Sequence, residues 1–249
     1  MPLSSSPLRN ALVAQILGAI VAAALLRLVY PQGFGVPLAV AVLQGVCAAL
    51  IGSWQGAPKW WLPIHCGFLP AAVLASRLEI APGWYCTGFV VLLLIYWRTD
   101  KSQVPLYLSN ARTAAALVQL LPSQACQVVD LGCGQGGLLR RLARARGDCH
   151  FLGIEHAPLP WLWAKLASLA QPNLQIRYGD FWQQRLAPFD IVYAFLSPVP
   201  MTRLINKART EMRPGTLLVS NNFAVPGVAA DLVVTVADRR ATQLYCYRL

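Results

Sequence analysis

VVDLGCGQGG, residues 128–137, is an apolar run that ends at Asp130 and passes into a glycine-rich turn ahead of an amphipathic stretch. Gly132, Gly134, Gly136 and Gly137 allow the backbone to turn tightly and to approach a ligand with no Cβ in the way. Gly132, Gly134 and Gly137 also satisfy the dinucleotide GxGxxG spacing, so the loop by itself leaves two ligand classes open.

The surrounding sequence sets the loop in a fold. From residue 102 onward, short apolar runs alternate with amphipathic stretches, the pattern of βα units around a parallel sheet. Strands are predicted at about 127–131, 150–154, 174–178, 189–195, 215–221, 231–236 and 242–248, with helices after the first, second and fourth. The last two strands are joined by the short polar link Asp238, Arg239, Arg240, which suits a closing antiparallel hairpin. The expected fold class is α/β, a Rossmann-like seven-stranded sheet with the last strand antiparallel, which is the arrangement of the class I methyltransferases.

Three carboxylates narrow the ligand. Asp130, just ahead of the glycines, suits the ammonium of a methionine moiety, whereas a dinucleotide site wants no anion beside its pyrophosphate. Glu155 closes FLGIE, where a carboxylate can accept both hydroxyls of a ribose. Asp180, in RYGDF, is placed to accept from an adenine amino group, with Phe181 or Trp182 beside the ring. Acidic residues at the carboxyl ends of three successive strands would share one crevice, and together they point to S-adenosylmethionine. His156 reads as a cleft-lining residue and Cys133 as a small side chain in the loop. No CxxC pair occurs among the seven cysteines, so no zinc site is expected and the thiols read as free.

Residues 1–97 have a different composition. Their charges are Arg9, Arg27, Lys59 and Arg77 against Glu79, which leaves 17 basic and 9 acidic residues for 98–249. With 56% hydrophobic and 12% charged residues overall, the chain departs from a typical soluble domain. Four apolar segments, 11–29, 35–51, 62–78 and 81–97, are predicted as a transmembrane bundle, and the sequence opens without the pattern of a cleaved signal peptide. Arg9, Lys59, Arg98 and Lys101 then fall on one side, which puts the N-terminus and residues 98–249 in the cytoplasm. Trp54, Trp60, Trp61, Tyr96 and Trp97 lie near span ends, and His65 reads as packed. The net charge of +11 suits anionic lipid headgroups. Nucleic acid is not expected as a partner, because Arg140, Arg141, Arg144 and Arg146 fall at helical spacing as a solvated face.

VPLYLSNAR (104–112), VVDLGCGQGG, IEHAPLPWLW (154–163), RYGDFW (177–182), YAFLSPVP (193–200) and RPGTLLVSNNF (213–223) resemble the membrane-anchored protein-lysine methyltransferases of the ATP synthase c-subunit and adenine nucleotide translocase type. The resemblance covers about residues 98–249. Cys133, Gln135 and Ser109 depart from that family's usual residues, Trp161 is shifted, and the family usually has one hydrophobic segment, not four. The resemblance implies a methyl acceptor that is a lysine on a small integral membrane protein. In this fold the fourth strand ends next to the cofactor's methyl, so Tyr107, Ser197 and Pro198 are expected on the substrate side. Methyl transfer to a lipid, quinone or other small molecule, and a catalytically silent membrane module, are the competing readings. An aminopropyltransferase is disfavoured, because YAFLSP lacks acidic residues for a polyamine.

Overall fold

The computed structural model describes residues 7–30, 37–78, 80–97 and 107–249. Two compact units make up the chain, Met1–Cys86 and Thr87–Leu249. Arg98, where the catalytic half was expected to begin, and Lys101 lie outside the described residues, as do Glu79 and Val104 to Leu106.

The first unit holds helices α1 (Pro7–Val29), α2 (Pro37–Trp54) and α3 (Trp61–Ala75). They approach one another through small residues. A Cβ added at Gly18 would stand 2.7 Å from the Ala48 nitrogen, and one at Gly45 would stand 2.5 Å from the Cys66 carbonyl. Ala14, Ala22, Ala41, Ala48 and Ala49 are buried, while Leu12, Ile16, Ile20, Leu28 and Leu50 face outward. Close contact through glycine and alanine, with large apolar side chains outside, is how helices pack where burial from water is not the driving force.

Four helices stand where four spans were expected, and their lengths differ from that expectation. Residues 9–29 and 37–54 are long and apolar enough to cross a membrane. α3, with 15 residues, and α4 (Pro82–Ile95), with 14, fall short of the roughly 20 that the hydrocarbon core requires. Pro82 opens α4, and α3 ends at Ala75, before Ser76 and Arg77.

The second unit carries seven strands: β1 (Gln127–Leu131), β2 (His150–Glu155), β3 (Leu174–Tyr178), β4 (Ile191–Ala194), β5 (Leu217–Asn221), β6 (Leu232–Thr235) and β7 (Gln243–Arg248). The sheet order is β3-β2-β1-β4-β5-β7-β6, with β7 antiparallel to both neighbours, as the sequence predicts. Helices α5 (Ala111–Leu120), α6 (Gly137–Ala145), α7 (Pro158–Ala167) and α8 (Pro198–Glu211) cover the faces. Alternate strand residues divide between two cores. Val128, Phe151, Ile176, Tyr193 and Val219 pack with α5, α6 and α7, while Val129, Leu152, Val192 and Leu218 pack with α8. All seven cysteines are free.

The arginine cluster is only partly a solvated face. Arg141 and Arg144 are exposed. Arg146 instead ends α6 by bonding Asp148 and the carbonyls of Pro122 and Gln124, and Arg140 bonds the Gln135 carbonyl across the glycine loop.

Gly153 of β2 is the tightest point of the first core. An added Cβ would stand 2.7 Å from Cys133 Sγ and 2.8 Å from both Leu139 Cδ1 and Ile176 Cδ1. Gly153→Ala is therefore expected to destabilise this unit by about 1–3 kcal/mol through overpacking. Thermal unfolding followed by near-ultraviolet circular dichroism measures it as a drop of several degrees, and an unchanged midpoint would mean that β2, α6 and the loop do not meet there.

Candidate active site

The site forms at the carboxyl ends of β1 to β4, because parallel strands in register finish at one edge of the sheet. Asp130 pairs with Gly153 on one side and Tyr193 on the other, and Glu155 pairs with Tyr178. The loop that follows β1 uses left-handed backbone at Gly132 (φ +92°), Gly134 (φ +54°) and Gly136 (φ +68°), which explains glycine at these positions. Gly136 also caps α6. The loop and the first turn of α6 thereby leave backbone N–H groups at a helix N-terminus facing the crevice, an arrangement that favours a carboxylate.

Glu155 does more than the sequence suggests. Its Oε2 accepts from the Gly134 N–H at 2.7 Å, and its Oε1 accepts from the His156 and Ala157 N–H groups at 2.8 Å each. The same carboxylate that was expected to take a ribose therefore holds the glycine loop against the end of β2. A carboxylate has about four acceptor positions, so one remains on Oε2 for a hydroxyl.

Asp130 is 3% exposed, and among the described residues its carboxylate accepts no hydrogen bond. Burial, and then the nearby Glu155 carboxylate, push it up to about 8 from an ordinary 3.8. A cation placed beside such a carboxyl favours its ionised form. Cys133 is pushed well above the ordinary thiol range, first by burial and then by Asp130 and Glu155, so it stays a neutral packing group.

Asp180, expected on the adenine side, caps the short 3-10 turn Phe181–Gln183 by accepting from the Trp182 N–H at 3.0 Å. Among the described residues its second oxygen has no such bond. Phe181 is half-buried against the α8-side core and tilts on Trp182 at 4.8 Å, and Arg203 lies over the Trp182 ring at 4.0 Å. His156 stacks on Tyr178 at 5.9 Å, and Tyr178 meets the edge of Trp161 at 5.3 Å, so His156 belongs to an aromatic group at the rim.

Of the residues expected on the substrate side, Tyr107 lies flat on Phe195, just past β4, with ring centroids 4.7 Å apart and planes 13° from parallel, and it tilts on Phe223 at 5.6 Å. Ser197 caps α8 without a side-chain bond. It is 7% exposed, and its Oγ has no partner among the described residues, while Pro198 begins the helix and is exposed.

Two residues were missed in the sequence. Tyr193, on β4 and 1% exposed, exchanges a hydrogen bond with Ser109 Oγ at 2.8 Å and accepts from Asn221 Nδ2 at 2.7 Å. The sequence signal was a tyrosine and an asparagine near the ends of two largely apolar strands. Ser109, a departure from the resembled family, is what ties the Tyr107 segment to β4. Asn110 caps α5 and bonds Asp238, which also accepts from Arg240, Thr242 N–H and Thr242 Oγ1. These bonds hold Asp238 well below the usual carboxylate range, those from Thr242 foremost.

Residues 130–232 match the family profile described as the ANTKMT methyltransferase domain. The chain is similar to the Trans-aconitate 2-methyltransferase of Deinococcus radiodurans, 35% identical over 128 residues, which are 49% of this chain and 47% of that protein. It thus spans about half the length of that curated relative. Among solved structures it is similar to an RNA methyltransferase from Salinibacter ruber in complex with S-adenosyl-L-homocysteine, with a TM-score of 0.52, 23% identity, and coverage of 57% of this chain and 93% of that one. The fold is that of a class I methyltransferase, and 130–232 is a methyltransferase domain by family profile as well. S-adenosylmethionine is the cofactor on which these likenesses agree, and the residues present fit it. Glycine at 132, 134, 136 and 137 leaves no Cβ at those positions, and among the described residues the buried Asp130 carboxylate accepts no hydrogen bond.

A carboxyl that is raised in the folded protein costs stability as pH climbs from its unfolded value near 3.8 to about 8, because the folded protein keeps a proton that the unfolded chain gives up. An ammonium bound beside it favours the ionised form, so binding expels that proton. Affinity for S-adenosylmethionine is expected to rise by up to about tenfold per pH unit between pH 6 and 8 and then to level off. Asp130→Asn is expected to flatten the profile. Calorimetry in buffers of different ionisation enthalpy measures the released proton, and a pH-independent affinity in the unaltered chain would place the ammonium elsewhere.

Proposed function

We propose that this chain is a membrane-anchored S-adenosylmethionine-dependent methyltransferase that N-methylates a lysine of a small integral membrane protein. The observation that carries the substrate side is the flat Tyr107–Phe195 stack, with Phe223 against it, at the end of β4. A lysine's four-carbon stem packs on aromatic faces, and a wall of low polarity favours the neutral amine, which is the form that attacks. When bound, the cofactor supplies a methyl group on a sulfonium. The chain's own part is to hold the acceptor in line and to exclude water, with Tyr107, Ser197 and Pro198 on the acceptor side and Asp130, Gly132, Gly134, Gly136, Glu155, His156, Asp180 and Phe181 on the cofactor side. No base at a fixed position is needed.

Support for lysine comes from the resemblance of 98–249 to the protein-lysine methyltransferases, and the family profile over 130–232 supports a methyltransferase. Support for the membrane comes from α1 and α2, which are long and apolar enough to cross it, and from the outward-facing leucines and isoleucines of the first unit. The positive-inside pattern favours a cytoplasmic N-terminus and a cytoplasmic catalytic domain. Anchoring in the bilayer through these helices raises the effective concentration of membrane-bound lysines over soluble ones, so the anchor itself contributes specificity. Transfer to a small molecule is the second reading, favoured by the similarity to a relative named for trans-aconitate.

Membranes from a deletion strain, incubated with the purified full-length chain and cofactor radiolabelled in its methyl group, are expected to yield one labelled small protein whose hydrolysate contains methyl-lysine. Tyr107→Ala is expected to lower that labelling at least tenfold. Label confined to the organic-solvent or small-molecule fraction would contradict the lysine assignment and leave the second reading in its place.

A further inference from the structure

His65, on α3, is 1% exposed inside the apolar first unit. Gln44 donates from Nε2 to Gln15 Oε1 at 2.7 Å, and Gln15 Nε2 lies 3.1 Å from His65 Nδ1. The direction of the chain follows from its first bond. Gln15 Oε1 is an acceptor, so Gln15 Nε2 donates, Nδ1 accepts, and the neutral imidazole carries its proton on Nε2. Nε2 is buried with no partner among the described residues, and so is Gln55 Oε1, just past the end of α2. An unpaired donor and an unpaired acceptor in apolar surroundings are both costly.

Both residues line one cavity of about 110 Å³, with Asn10, Ala11, Pro58 and Trp61 among the others. Trp61 stacks on the His65 ring at 5.6 Å. Gly52 also lines the cavity, and an added Cβ there would stand 3.0 Å from His65 Cδ2 and Nε2, so the glycine keeps that edge of the imidazole open. The lining comes from the start of α1, the end of α2 and the start of α3, which places the cavity at one end of the bundle. The exposed rings of Trp54 and Trp60 belong to that same end.

We propose that this cavity binds the neutral hydroxyl headgroup of an amphiphile, a second ligand site that does not depend on methyl transfer. A hydroxyl accepts from His65 Nε2–H and donates to Gln55 Oε1 at the same time. Among the described residues no charged side chain lines the cavity, so an ionised headgroup finds no counter-charge from them. Water has the same two capacities, but one water occupies only about a tenth of such a volume, and alanine, glycine, proline and an indole face hold further waters poorly. Exposed tryptophans at the end of an apolar bundle mark the level at which amphiphile headgroups lie. The hydroxyl can come from a phenolic ring or from a glycerolipid.

The test uses the full chain in detergent micelles without S-adenosylmethionine, labelled with nitrogen-15 at its three histidines, so that His150 and His156 serve as references. It is titrated separately with 4-hexylphenol, with dioctanoylglycerol and with 4-hexylanisole, which has the shape of the phenol but no hydroxyl proton. A saturable shift of the His65 Nε2 resonance alone is expected with at least one hydroxyl probe, and the probe that produces it identifies the source. The anisole is expected to bind about tenfold more weakly than the phenol, and Gln55→Ala to weaken the hydroxyl probe to a similar degree. Gly52→Ala, which suits a helix and crowds the Nε2 edge, is expected to abolish the shift. No saturable shift with either hydroxyl probe, equal binding of anisole and phenol, or an unchanged titration in Gly52→Ala would each overturn the proposal.

Discussion

The glycine loop is held to the end of β2 by three hydrogen bonds, and the site depends on them. The Ile154 carbonyl accepts from Gly132 N–H at 2.9 Å and Cys133 N–H at 3.0 Å, and the Glu155 carboxylate accepts from Gly134 N–H. A loop of glycines has more backbone freedom to lose than any other, so its order has to come from outside itself. Here it comes from one carbonyl and one carboxylate on the neighbouring strand. The carboxylate proposed to take the cofactor's ribose is thus also the one that sets the loop's shape.

A second set of bonds fixes the acceptor side. Asp238 gathers the β6–β7 hairpin and the start of α5 onto one carboxylate, and Ser109 and Asn221 both reach the Tyr193 hydroxyl beneath. Tyr107, two residues before Ser109, is thereby laid on Phe195. The Tyr193 hydroxyl is pushed above its ordinary range, first by burial and then by Asp130, so it stays a neutral donor in that network. Burial of Asp130 and of Tyr193 on paired strands thus serves two ends: one keeps a carboxyl ready for a cation, and the other keeps the aromatic wall in place.

The sheet was legible from residues because its strands are short apolar runs bounded by turns, and every predicted strand lies within about two residues of its observed limits. The glycine loop and the acidic residue at or near the end of each of three strands were legible for the same reason, since position along a parallel strand fixes which edge a residue reaches. What Glu155 bonds to was not legible, because its three partners are backbone groups that only the folded loop brings together. Tyr193 and Asn221 were hidden by looking like ordinary strand residues. At residues 62–97 the composition is apolar, but α3 ends at Ala75 and α4 begins at Pro82, so both helices are shorter than the segments expected there. His65 was read as packed, and it is, but within a polar chain through Gln15 and Gln44 that no periodicity reveals.

Assigning the cofactor crevice to the ends of β1, β2 and β3 commits particular peptides to contact with the ligand. Ultraviolet crosslinking of radiolabelled S-adenosylmethionine to the full-length chain, followed by proteolysis and peptide mapping, measures this directly. The account predicts label in peptides that carry 128–137, 154–163 or 177–182, suppressed by excess S-adenosylhomocysteine. Competable label found only in other peptides would contradict it.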